Sequence, residues 1–116
     1  MTAMRSRLAD AVVASFGDAP RVVAELPGDT ELLRKVGGKL VTAGRDALLC
    51  AREGDAMVVV LFRAAGSTLD CGALWKRLSA TYGGRGGGRP DRAEGKLAAS
   101  IADWPAAIDE LAEPAQ

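Results

Sequence analysis

A glycine-rich segment with two arginines is the part of this sequence whose residue types point most directly to chemistry. Five of the six residues from 83 to 88 are glycine, and Arg85 and Arg89 lie within the run or directly after it. Glycine lacks a Cβ and lets another molecule approach the peptide plane, and successive N–H groups that point the same way form a concave anion site. Guanidinium groups add planar donors that suit phosphate oxygens. The segment therefore predicts an anion-binding loop for phosphate or carboxylate.

Known nucleotide-binding motifs do not account for these glycines. A P-loop requires a lysine and a hydroxyl residue after its last glycine, whereas Arg89 and Pro90 follow Gly88. A dinucleotide fingerprint that starts at Gly84 would place Arg89 at its third glycine. A flexible linker, or a tight turn after a helix-ending Gly83, stays open as an alternative. Because a linker usually contains serine and a turn needs only one or two glycines, we favour anion binding.

Basic side chains surround the glycines although the whole chain has no net charge. Residues 71–100 contain six basic side chains against two acidic ones, and residues 101–116 contain four acidic side chains and no basic one. Such clustering is common on solvated surfaces, but beside the glycines it would attract an anion. The predicted anion-binding residues are Gly84, Arg85, Gly86, Gly87, Gly88, Arg89, Arg92, Lys76, Arg77 and Lys96.

Other kinds of chemistry are poorly supported by the composition. The chain has no histidine, which excludes Ser-His-Asp and Cys-His catalysis and histidine-ligated zinc. Cys50 and Cys71 lack metal-binding spacing and are expected to be small buried hydrophobes. Asp91 and Glu94 are expected to be salt-bridge partners rather than an acid–base pair. We therefore predict a protein that is not an enzyme and that uses no cofactor and no metal.

The chain is expected to be cytoplasmic and to have no membrane partner. Its longest uninterrupted apolar run covers residues 56–62, far short of the ~20 residues that a membrane-spanning helix needs. Arg5 and Arg7 precede a short apolar stretch, but Asp10 interrupts it, so no signal peptide is predicted.

Four helices are expected to position the glycine segment. The first covers residues 4–16, with an apolar residue at every fourth position. The second begins at a capping Asp29 or Thr30, and Gly37-Gly38 either ends it or allows another backbone to approach. The third begins near Asp70 and carries an apolar stripe. The last is capped by Asp103 and has a proline in its first turn.

Apolar runs of strand length predict a sheet beside these helices. Residues 21–26 and residues 96–101 are expected to be strands, the second of them at an edge. Residues 47–52 and 56–62 flank a short turn sequence, which predicts a hairpin, and the second run is typical of a central strand covered on both faces. We therefore expect a single α/β domain over residues 1–116, a small mixed β-sheet with helices packed on it and a glycine-rich loop at 83–90.

Three aromatic residues are expected to pack against these elements. Trp75 lies on the apolar stripe of the third helix and is predicted to be in the core. Trp104, beside Pro105, is expected to form a lid over the sheet edge. Tyr82 abuts the glycines, where packing is favoured and stacking on a nucleobase is the alternative.

The glycine segment and its surroundings resemble a long family signature. Residues 83–91 read GGRGGGRPD and are followed by Ala93-Glu94-Gly95. This closely resembles the G-G-K-G-G-G-R-P-D-M-A-Q-G signature of the DHHA1 family, as in the C-terminal domain of alanyl-tRNA synthetase, and the preceding helix is similar to that family's A-G-x-L helix. Arg85 takes the place of the usual lysine and keeps its charge. Arg92 replaces a common methionine, and Lys96 stands where the family has further glycines.

The resemblance implies a small α/β binding domain without catalytic machinery. In alanyl-tRNA synthetases the similar domain contacts the outer corner of tRNA and helps to dimerise the enzyme. In DHH-type phosphoesterases it closes over the phosphate-bearing substrate. By this resemblance the anion-contacting loop would consist of Gly84, Gly86, Gly87, Gly88 and Arg89, with Arg85 beside them. The D-H-H motif itself is absent.

Three functions stay open at this point. We favour a noncatalytic RNA-binding module, with tRNA as the leading partner, whose binding depends on shape and charge. One alternative is an accessory domain that binds a phosphorylated small molecule beside a DHH-type phosphoesterase. The other is a dimerisation module that forms a homodimer, for which the apolar helix from Met4 to Phe16 and the acidic tail are the sequence support. Because the total charge is neutral, the RNA affinity is expected to be modest.

Overall fold

The computed structural model describes residues 2–112, with the side chains of residues 8–111. The side chains of Met4, Arg5 and Arg7, and that of Glu113, one of the four acidic residues of segment 101–116, lie outside that description. None of the described helices is long and apolar enough to cross a membrane. In chain order the elements are α1 (Thr2–Ser15), β1 (Arg21–Glu25), α2 (Thr30–Thr42), β2 (Asp46–Glu53), β3 (Ala56–Phe62), α3 (Cys71–Tyr82), β4 (Gly84–Arg89), β5 (Arg92–Leu97) and α4 (Trp104–Ala112).

The strands form one mixed sheet in the order β1-β2-β3-β5-β4. β1 pairs with β2 in parallel, and every other pair is antiparallel. β2 and β3 form the predicted hairpin, in which Glu53 pairs with Ala56 across Gly54-Asp55 and Gly54 takes a φ of 63°. β3 lies at the centre of the sheet, as its continuous apolar sequence predicted. The expected α/β class, a mixed sheet with helices packed on it, is confirmed.

Helices cover both faces of the sheet and create two apolar cores. α2 packs on one face, which we call the α2 side, against residues such as Leu49, Val60 and Phe62, and α1 packs on α2. α3 and α4 pack on the other face, the α3 side, against Leu48 and other sheet residues. Both cores consist mainly of aliphatic side chains, because alternate positions of β2 and β3 are apolar on both faces.

The two tryptophans both belong to the α3 side. Trp75 is 3% exposed and packs in the core, which confirms its prediction. Trp104 was predicted to be a lid over the sheet edge, and this is wrong. Its ring is 1% exposed, and its Nε1 donates a 2.9 Å hydrogen bond to the carbonyl oxygen of Leu48. Because the sheet carbonyl satisfies the indole N–H, the whole ring can be buried.

Three helices begin at capping aspartates, of which the sequence predicted Asp103 as a cap, Asp29 as a cap with Thr30 as the alternative, and Asp70 only as a residue near the helix start. Asp29, Asp70 and Asp103 each accept a hydrogen bond from a backbone N–H three residues later, at 2.9 to 3.1 Å. α2 does not end at Gly37-Gly38. A Cβ on Gly37 would lie 2.7 Å from Cδ2 of Phe62, so the glycine makes room for an aromatic ring of β3 rather than for another backbone.

The glycine segment is a strand, so the predicted loop at 83–90 is wrong. Gly83 ends α3 with a φ of 72° and donates to the carbonyl oxygen of Ser79, after which β4 runs as an edge strand along β5. β5 covers residues 92–97 rather than 96–101 and lies inside the sheet. Side-chain periodicity, which identified the other strands, gives no signal where side chains are missing. The backbone N–H and C=O groups of the glycines can still pair with a neighbouring strand.

Candidate anion-binding face of the β4–β5 hairpin

Some of the glycines are required by close packing inside the hairpin. A Cβ on Gly86 would lie 2.3 Å from the carbonyl oxygen of Glu94, and one on Gly88 would lie 2.3 Å from that of Arg92. Gly86 also has a φ of 148°, which side-chain-bearing residues rarely adopt. A Cβ on Gly95 would lie 2.2 Å from Cζ2 of Trp75. These three positions must therefore be glycine for structural reasons, whether or not they bind a ligand.

Gly87 differs from its neighbours because nothing lies within 4 Å of the Cβ that it lacks. It is opposite Glu94 in the register, and the pairs two residues away on either side are Arg85 with Lys96 and Arg89 with Arg92. Residues that are directly opposite in an antiparallel pair project from the same face of the sheet. We call the six residues of these pairs the hairpin face: Arg85, Gly87, Arg89, Arg92, Glu94 and Lys96.

The hairpin face lies on the α2 side of the sheet. The guanidinium carbon of Arg92 is 4.5 Å from the ring centroid of Phe62, which belongs to the core beneath α2. All six residues of β4 are exposed, and so are Arg92 and Lys96. The packed helices thus leave this end of the sheet open to solvent, with four basic side chains around an accessible glycine backbone.

The cations of the hairpin face differ in how strongly they are already paired. Arg92 donates to Oε2 of Glu94 at 2.9 Å, and Lys96 forms an ion pair with Glu53. Nε of Arg89 is 3.9 Å from Oδ1 of Asp91, and its side chain is 78% exposed. Among the side chains of residues 8–111, none bonds to the guanidinium of Arg85. Arg85 and Arg89 are therefore the two cations best able to accept an external anion.

Glu94 is the one acidic residue of this face, and it is held by two arginines. Nε and Nη2 of Arg34, on α2, donate to Oε1 of Glu94 at 2.9 and 2.7 Å. The hydrogen bond from Arg34 lowers the pKa of Glu94, and that from Arg92 acts in the same direction. The expectation that Asp91 and Glu94 are salt-bridge partners is confirmed. Arg34 was missed, because nothing in the linear sequence links it to a residue 60 positions later.

Lys76 and Arg77 do not join the hairpin face. Both lie on α3, which packs on β4 and β5 from the opposite side, where Ser79 of that helix lies 3.4 Å from the position of a Cβ on Gly84. Lys76 is exposed, while Nη1 of Arg77 donates to the carbonyl oxygen of Leu111 at 3.1 Å. The structure therefore divides the ten predicted binding residues between two sides of the sheet.

An edge strand presents its backbone differently from the predicted nest. In an antiparallel pair, alternate residues direct their N–H groups toward the partner strand, and the others point to the open edge. Consecutive N–H groups of β4 consequently do not converge on one point, so the expected concave nest is wrong. The hairpin face instead combines guanidinium groups with an unobstructed backbone at Gly87.

The cysteines and carboxylates offer no competing site. Cys50 and Cys71 are buried thiols, as expected, and burial raises the pKa of each to about 12. At neutral pH both are protonated and therefore poor nucleophiles. Within the described part of the chain, no group of three or more cysteine, aspartate or glutamate residues could hold a metal ion.

The sequence of this chain is similar to part of two alanine–tRNA ligases. The chain is 36% identical over 101 residues to the alanine–tRNA ligases of two strains of Thermus thermophilus. The alignment covers 79% of this chain and 12% of each relative, so the chain spans a small part of their length. No protein-family model matches the chain.

Solved structures share the fold. The C-Ala domain of alanyl-tRNA synthetase from Aquifex aeolicus superposes with a TM-score of 0.68 at 23% identity, over 84% of this chain and 92% of that domain. RecJ from Thermus thermophilus, crystallised in complex with Mn²⁺, gives a TM-score of 0.64 at 21% identity, over 94% of this chain and 16% of that protein. At these identities the likeness concerns the fold of the domain.

Proposed function

Because this chain is a DHHA1-like domain, we propose that it is a noncatalytic module that binds nucleic acid, with tRNA as the first ligand to test. The observation that carries the proposal is the pair of exposed guanidinium groups, Arg85 and Arg89, on either side of the open backbone at Gly87. Similarity to part of two alanine–tRNA ligases supports tRNA over other RNA.

The charge distribution supports phosphate contacts rather than base recognition. Arginine side chains bind phosphate oxygens through planar, charge-assisted hydrogen bonds. The hairpin face has few other polar side chains that could distinguish one base from another. Binding by such a surface releases counterions and weakens as salt rises. Since the chain has no net charge, we expect modest affinity and a small number of phosphate contacts.

Several observations favour a binding role over catalysis. The sequence has no histidine, and both thiols are buried with raised pKa values. The carboxylates of the hairpin region are engaged by arginines rather than placed together as an acid and a base. Phosphate contact by β4, assembly as a homodimer and a cytoplasmic location stay predictions of this proposal.

Titration of tRNA at increasing salt, followed by fluorescence anisotropy, tests the proposal. Arg85→Ala and Arg89→Ala should each weaken binding about fivefold and lower the salt slope by about 1. Lys76→Ala is the matched control, because it removes one charge from the α3 side of the sheet and should leave the affinity nearly unchanged. Absence of binding at low salt, or binding that does not weaken with salt, would contradict the proposal.

A further inference from the structure

The ion cluster that joins α2 to the hairpin has the donor geometry of an anion site. Arg34 directs two N–H groups to Oε1 of Glu94, and Arg92 directs one to Oε2, all at 2.7 to 2.9 Å. The carboxylate is only 24% exposed, whereas the side chains of Arg34 and Arg92 are 54% and 50% exposed. Two guanidinium groups thus meet on one partly buried anion, at distances typical of charge-assisted hydrogen bonds.

An open cleft lies on each side of this cluster. One, of about 530 Å³, lies on α2 and is lined by Arg34, Lys35, Gly38, Lys39 and Thr42. The other, of about 380 Å³, lies on the hairpin and is lined by Gly87, Gly88, Arg89, Arg92, Ala93 and Glu94. Arg34 lines the first cleft and Glu94 lines the second, so their hydrogen bond links the two clefts.

The residues that line the two clefts carry more positive than negative charge, although Glu31 also acts on Arg34 from the same helix. Five cations line the two clefts, and Glu94 is the only acidic residue among their lining residues. Two of the cations have partners elsewhere, since Lys39 pairs with Asp10 at 2.8 Å and Arg89 has a weak contact with Asp91. A carboxylate at this point neutralises two arginines that would otherwise repel each other. An external anion of similar shape could neutralise them equally well.

We propose that Glu94 is a built-in occupant of a phosphate subsite, which a phosphodiester group of the bound nucleic acid takes over from its carboxylate. Arg34 and Arg92 then hold the phosphate, and the bound strand passes from the hairpin face onto α2. The nucleic-acid ligand rests on the proposed function, whereas the subsite itself requires only a phosphate. Glu94 limits affinity in this arrangement, because it competes for the same donors and repels the incoming anion.

Glu94→Gln tests this role, since glutamine keeps the shape and an acceptor oxygen but loses the charge. We expect tRNA to bind about tenfold more tightly to this variant, with a steeper salt dependence. Glu110→Gln is the matched control, because it removes an identical charge from an exposed position of α4, on the α3 side of the sheet, and leaves Arg34 and Arg92 paired. Equal affinity of the two variants, or weaker binding by Glu94→Gln, would overturn the inference.

A second variant separates a specific subsite from a change in net charge. In the double variant Glu94→Gln with Arg34→Gln, the gain in affinity should disappear, while melting temperatures confirm that each protein is folded. Inorganic phosphate provides a probe independent of RNA, with binding followed by the NMR signals of the Nε–H groups of Arg34 and Arg92. If phosphate shifts these signals at lower concentration in Glu94→Gln and tRNA does not bind, the proposed function fails while the subsite stands. If tRNA binds but phosphate shifts the signals of the wild type and of Glu94→Gln at the same concentration, the subsite is refuted.

Discussion

The two hairpins of this sheet have the same topology but opposite surroundings. β2 and β3 are covered on both faces, and every residue from Ala47 to Ala51 and from Met57 to Phe62 is buried. β4 and β5 are covered by α3 on one face only, and β4 is exposed along its whole length. The difference arises because α2 packs against β2 and β3 but not along β4. The β2–β3 hairpin therefore supplies stability, and the β4–β5 hairpin supplies an accessible charged surface.

The strongest test of this comparison removes a side chain from the covered hairpin. Leu61 is 0% exposed in β3, so Leu61→Ala should lower the free energy of unfolding by about 3 kcal/mol through lost burial and a cavity. The exposed Leu8 is the matched control, and Leu8→Ala should change stability by less than about 0.5 kcal/mol. Urea denaturation measures both. If tRNA affinity of the folded Leu61→Ala protein also fell, the division of roles between the hairpins would be contradicted.

A smaller loss of stability is expected inside the exposed hairpin. Gly86→Ala places a Cβ against the Glu94 carbonyl at a positive φ and should cost roughly 2 kcal/mol. Gly87→Ala has open space at that position and should be close to neutral for stability. Thermal denaturation distinguishes the two variants. Equal melting temperatures would show that the close approach at Gly86 is not a constraint on the fold.

Because the Glu94 cluster joins α2 to the exposed hairpin, we expect a modest effect of pH on stability. Hydrogen bonding from Arg34 lowers the pKa of Glu94 in the folded state, so its stabilising contribution is present above the unfolded pKa of about 4.3. That contribution is lost as pH falls through the lower folded pKa. The melting temperature of the wild type should therefore exceed that of Glu94→Gln at pH 6, and the difference should shrink toward pH 3.

Arg34→Gln provides the control for the pH experiment, because it removes the main donor to Glu94. In the Arg34→Gln background, the Glu94→Gln substitution should therefore produce little pH-dependent difference in melting temperature. A difference between wild type and Glu94→Gln that stays constant from pH 6 to pH 3 would contradict the assignment of the cluster.

Sequence reasoning was most successful where side chains carry a repeating signal. The apolar stripe of α3, the continuous apolar run of β3 and the capping aspartates each depend on neighbouring residues, so local pattern was enough to identify them. It failed at β4, where glycines provide no periodicity, and at Trp104, whose burial depends on the carbonyl oxygen of Leu48, 56 residues earlier in the chain.

The candidate site, too, could be predicted from the sequence only in part. From the chain alone one could determine that glycines and arginines are concentrated at residues 83–92, and therefore that an anion is the natural ligand of this region. Only the tertiary structure decided that Arg85 and Arg89 share a face with Arg92 and Lys96. It also decided that Lys76 and Arg77 lie on the opposite side of the sheet. The bond from Arg34 to Glu94 likewise depends on how α2 packs beside the hairpin. The physical reason is that residue types set the charge and conformational freedom of a segment, whereas the pairing of strands and the packing of helices determine which charges meet.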